Sequence, residues 1–96
     1  MKVKGRRDVT ITVTGGIGES GIVYADWIHN FATKCDGGAQ YELEFRDLDD
    51  FGLWKEDNRR YKGPVSRGVV RKCTGFKIFL TNATDGIYQI RIGVTG

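Results

Sequence analysis

One histidine, one proline and two cysteines are all that these 96 residues hold of those types. Each scarcity closes off a class of function. A single histidine, His29, excludes an acid–base mechanism built on a histidine pair. The cysteines, Cys35 and Cys73, lie far apart and neither belongs to a CxxC, which argues against a zinc site or a thioredoxin-type redox motif. No apolar run approaches the roughly 18 residues that a membrane-crossing helix needs. The opening Met1-Lys2-Val3-Lys4 lacks the apolar stretch of a signal peptide. The chain is therefore either kept in the cytoplasm or secreted after losing an upstream signal.

What is abundant points to a sheet. Fourteen glycines accompany many Thr, Val and Ile, a composition that suits strands joined by turns. The length fits one domain with a single modest core, with residues 1–7 expected to fray. An even cysteine count in so small a domain allows one crosslink. A Cys35–Cys73 disulfide is expected ahead of the alternative of two separate buried thiols, and on the chain-entropy model it would stabilise the fold by roughly 3–4 kcal/mol. Such a bond fits an extracellular setting.

Period-two alternation marks four strands. In Asp8–Thr14, Val9, Ile11 and Val13 share one side. In Gln40–Leu48, Tyr41, Leu43 and Phe45 point one way and Glu42, Glu44 and Arg46 the other. Phe76, Ile78 and Leu80 alternate with Lys77, Phe79 and Thr81, and Tyr88, Ile90, Ile92 and Val94 alternate with Gln89 and Arg91. Asp85-Gly86 between the last two runs is a strong turn signal, so 76–94 reads as a β-hairpin. Leu53-Trp54 reads as a short strand, and Val65, Val69 and Val70 as an irregular one.

Ser20–Asp36 changes period. Tyr24, Trp27, Ile28, Phe31 and Cys35 follow the three-four spacing of a helical face. Ser20 is placed to cap the start and Gly37 to end the turn. The spacing predicts a helix over about 20–36. The expected fold class is α+β: a two-layer sandwich with one amphipathic helix packed on an antiparallel sheet of four to five strands.

No catalytic constellation accompanies these elements. Asp26 and His29 would touch as an i,i+3 pair on the helix, but no third group converges on them. Asp47, Asp49, Asp50 and Gly52 lack the spacing of a calcium loop. Gly15-Gly16-Ile17-Gly18 lacks the Lys-Ser/Thr of a phosphate-binding loop. Neither a metal nor a cofactor is implied.

Charge is where the sequence is uneven. The net charge is only +3, yet Arg59, Arg60, Lys62, Arg67, Arg71 and Lys72 fall in one stretch free of acidic residues. Trp54 and Tyr61 lie beside them. Basic residues interleaved with aromatics suit an acidic protein surface or a charged glycan, or nucleic acid with its phosphates and stacking bases. The alternative is that the cations merely keep an edge strand from pairing with other chains. The expectation is a secreted, non-enzymatic binding module, an effector, inhibitor or toxin-like protein. Trp54 and Tyr61 would anchor a protein or other acidic partner, and Arg59, Arg60, Lys62 and Arg67 would attract and orient it. A nucleic-acid-binding domain using residues 59–72 is the second reading.

Overall fold

The computed structural model describes residues 4–48, 52–55 and 60–96. These form nine strands: β1 (Lys4–Val13), β2 (Gly18–Glu19), β3 (Trp27–Lys34), β4 (Gln40–Arg46), β5 (Gly52–Lys55), β6 (Tyr61–Lys62), β7 (Ser66–Lys72), β8 (Lys77–Thr81) and β9 (Gly86–Thr95). Among the described residues there is no helix. One antiparallel sheet has the order β1-β9-β3-β7, the other β2-β8-β4-β5, with β6 pairing the start of β4. The sheets pack face to face as a β-sandwich, so the expected α+β architecture is replaced by an all-β one.

The 20–36 segment misleads for a physical reason. Residues 20–26 form no regular element and are tied down by single contacts, such as the mutual backbone hydrogen bonds of Val23 and Phe76 at 2.8 Å. β3 follows as a central strand between β9 and β7. It carries a bulge at His29, where Ile28 faces Val94 but Asn30 already faces Gly93. A bulge adds one residue without changing sides. Ile28 and Phe31 therefore both point into the core at a spacing of three, which imitates a helical stripe. Trp27, which that stripe would bury, stands opposite Thr95 and Lys72 on the outer face.

The 76–94 stretch contains both expected strands but not their pairing. β8 pairs with β2 and β4, while β9 pairs with β1 and β3. The chain between them crosses from one sheet to the other, so this is an arch rather than a hairpin. The tight turn lies instead at Thr14–Ile17, where Gly15 and Gly16 adopt φ of 67° and 84°. Two successive positive φ values define the primed turn that glycine adopts without strain.

The inward residues meet in one core. Ile11, Val13, Ile28, Phe31, Ile90 and Ile92 come from the first sheet, and Tyr41, Leu43, Phe45, Ile78 and Leu80 from the second. Phe31 is fully buried and bridges the sheets, with ring centroids 5.8 Å from Phe45 and 6.3 Å from Tyr61. Such tilted and edge-on pairs add to the area they bury.

The expected disulfide does not form: both cysteines are free thiols. Topology explains why. Cys35 follows the end of β3 and Cys73 follows the end of β7, and these strands run antiparallel, with Trp27 opposite Lys72. The two thiols thus sit at opposite ends of the strand pair: Cys73 lies level with Asp26, and the nine residue steps from there to Cys35 span roughly 25–30 Å. A disulfide needs Cα atoms within about 7 Å. Cys73 donates its thiol hydrogen to the Ala25 carbonyl oxygen at 3.1 Å. Burial raises both thiol pKa values above the usual one.

A basic edge as the candidate binding surface

β7 closes one side of the first sheet, and β5 and β6 pair with successive parts of β4 in the other. The segment joining β6 to β7 is held by a chain of hydrogen bonds that begins in the core. The Val65 N–H donates to Thr33 Oγ1 at 3.0 Å. Thr33 Oγ1 lies 2.5 Å from Tyr41 Oη, which donates to the Gly63 carbonyl at 2.9 Å. The Thr33 N–H donates to the Val65 carbonyl at 2.8 Å. Buried polar groups so satisfied fix one geometry, because breaking any link leaves a partner unpaired. Tyr41 shows how dry this site is: burial pushes its pKa up to about 12, the Thr33 hydrogen bond acting in the opposite sense.

On that clasp hang the basic residues. Arg60, Lys62, Arg67, Arg71 and Lys72 are all exposed. Arg60 Nε donates to Gln40 Oε1 at 2.9 Å. The Arg67 guanidinium stands 5.5 Å above the ring of Tyr61 and donates to the Ser66 carbonyl at 3.0 Å. Arg71 makes the same fold-back to Val70 at 3.0 Å.

The expected aromatic anchors fare differently. Tyr61 is only 3% exposed and belongs to the core, against Phe31 and Tyr41. Its contribution is to seat Arg67, a cation–π contact worth about 0.5–1 kcal/mol at an exposed site. Trp54 lies in β5, opposite Phe45 in the ladder. Arg59 lies outside the described residues. The structure thus joins Arg67 to Tyr61 and places Arg60 and Lys62 either side of it in the chain, with the three cations exposed and the Tyr61 ring buried. Strand parity is the signal that marks Tyr61: its partner is Tyr41, an inward residue of β4.

Three other sequence features resolve as structure. His29 Nε2 lies 2.5 Å from Thr95 Oγ1, and without a helix the pairing with Asp26 has no geometric basis. The glycine turn does meet an anion, but it is the chain's own: the Gly16 N–H donates to the Asp85 carboxylate at 3.0 Å. Of the acidic residues around the rejected calcium loop, Asp49 and Asp50 lie outside the described residues, while just upstream Glu42 accepts from Asn82 at 2.5 Å and Glu44 pairs with Arg46. Comparison of the chain with protein-family models, with curated proteins and with solved structures finds no match in any of the three.

Proposed function

We propose that the chain is a non-catalytic binding module that takes an acidic macromolecular partner along the edge formed by β6 and β7. One observation supports this above the rest: five exposed cations occupy residues 60–72, a stretch without an acidic residue, on a segment clasped by Thr33 and Tyr41. Rim charges of this kind act mainly by steering the encounter and fixing orientation. Contact of that sort is what an effector, inhibitor or toxin-like role requires. The proposal concerns binding alone, because the crosslink that pointed outside the cell is not formed. Nucleic acid is the second reading; Tyr61 does not offer its ring for base stacking there, because it is buried.

The test is a binding titration with polyglutamate and with a single-stranded oligonucleotide, each over a range of salt. Exposed pairs contribute about 0.2–1 kcal/mol each. The triple variant Arg67→Glu, Arg71→Glu, Lys72→Glu is thus expected to weaken polyglutamate binding roughly 3- to 150-fold. Unchanged affinity in that variant overturns the reading. Oligonucleotide binding that is tighter than polyglutamate binding and falls steeply with salt replaces it with the nucleic-acid one.

A further inference from the structure

The face of the β1-β9-β3-β7 sheet turned away from the core carries a trough that the basic edge does not use. Asp8, Arg91, Ala32 and Ser66 stand side by side in one row across the four strands. Thr10, Gln89 and Lys34 form a parallel row two residues along. In the first row the side chain shortens from Arg91 on β9 to Ala32 on β3 and Ser66 on β7. That drop at Ala32 opens a cavity of about 550 Å³ bordered by Asp8, Thr10, Lys34, Gln89 and Arg91. Small-ligand sites fall in the same range of about 300–1,000 Å³. A depression of about 270 Å³ shares Lys34 and Gln89 with it, and another of about 330 Å³ continues past Ile87 to Gly86. From Arg91 to Gly86 the trough follows β9 for roughly 17 Å at the rise of a strand. Its shape accepts a linear ligand of several units.

The lining narrows the chemistry. β9 and β3 each pair on both sides, so their backbone groups are spent in the ladders and a ligand here meets side chains alone. Those side chains are of mixed kind: Asp8, with Asp36 and Asp85 further along, accepts, Arg91 and Lys34 donate, and Gln89 and Thr10 do both. Asp8 already takes a hydrogen bond from Arg91 Nε at 3.1 Å and faces Arg6 at 3.7 Å. An anionic ligand would compete with Asp8, and a cationic one would oppose Arg91 and Lys34. A neutral ligand rich in vicinal hydroxyls, each both donor and acceptor, answers the whole set. We infer that this trough is a binding site for a neutral oligosaccharide, separate from the basic edge and independent of it.

The experiment follows backbone amides by nuclear magnetic resonance while the chain is titrated with cellohexaose, maltohexaose and a mannohexaose. A galacturonate hexamer serves as the charged comparison. At least one neutral hexamer is expected to shift the amides of Thr10, Ala32, Lys34, Gln89 and Arg91 saturably. Gln89→Ala, at an exposed position, should weaken that binding about fivefold, the worth of one hydrogen bond. Ala32→Trp should fill the trough and abolish binding while amides of the other sheet keep their positions. The inference is overturned if no neutral hexamer gives saturable shifts at millimolar concentration. Shifts centred on β7, tighter binding of the galacturonate, or an affinity that Gln89→Ala leaves intact overturn it equally.

Discussion

Deleting His29 should leave the sandwich standing, whereas deleting Ala32, three residues on in the same strand, should come close to unfolding it. The reason lies in the bulge. Ile28 already faces Val94 and Asn30 already faces Gly93, the next residue of β9. Without His29, Ile28 and Asn30 become chain neighbours opposite residues that are themselves neighbours. The β3–β9 ladder turns regular, and Ile28, Phe31 and Thr33 keep pointing into the core. What is lost is the contact of His29 with Thr95 at 2.5 Å, about 1 kcal/mol, and some adjustment of β7, whose register also shifts there. The expected cost is about 1–2 kcal/mol in a domain whose total stability is of the order of 5–15 kcal/mol. Removal of Ala32 has no such relief. It turns Thr33 outward and Lys34 inward, since a slip of one residue exchanges the faces of a strand. The Thr33–Tyr41–Val65 clasp breaks and an ammonium is driven toward the core, at an expected cost of about 4 kcal/mol or more. Urea titrations of both deletions, followed by tryptophan fluorescence, measure the difference. Equal losses in the two variants would refute the account of the bulge.

Three further outcomes follow from the same structure. Thr33→Val keeps the shape but removes the hydroxyl that serves Val65 and Tyr41. It should cost about 2–3 kcal/mol by denaturant titration, with much less added by Tyr41→Phe, because the two share one network. The Tyr41 pKa near 12 lies above the value of 10.0 for an unburied tyrosine. The folded protein therefore keeps a proton that the unfolded chain has lost. The stabilisation from the neutral phenol is complete below pH 10 and falls as pH rises through about 12, by about 2 kcal/mol. Thermal melts of the wild type and Tyr41→Phe between pH 9 and 12 should diverge on that limb alone. Finally, thiol titration in denaturant without reductant should find both Cys35 and Cys73 reactive, and added reductant should leave the melting temperature unchanged; one disulfide per chain would contradict the antiparallel placement of the two thiols.

Strands were legible where both sides of the pleat differ. Tyr41, Leu43 and Phe45 alternate with charged residues because β4 buries one face and wets the other, and β9 reads the same way. β3 was not legible. Its inward Thr33 is polar, its outward Ala32 is apolar, and the bulge at His29 breaks the alternation, so the residue pattern tracks a helix better than a strand. The basic stretch was visible as a run of charge, but Tyr61 reads as a surface anchor until its ladder partner Tyr41 is known. The trough left no local trace. It arises from Asp8, Ala32 and Arg91, which lie on three strands and meet only across ladders.

Composition and alternation by themselves determined that this chain makes a sheet-rich domain with a cationic middle segment. Both are local properties: side-chain parity follows from strand geometry, and charge from residue type. Tertiary structure alone decided which strands pair, that β8 and β9 belong to different sheets, that the thiols stand a strand's length apart, and which aromatic rings are buried. Those outcomes depend on contacts between residues distant in the chain, and local propensity does not weigh one distant partner against another.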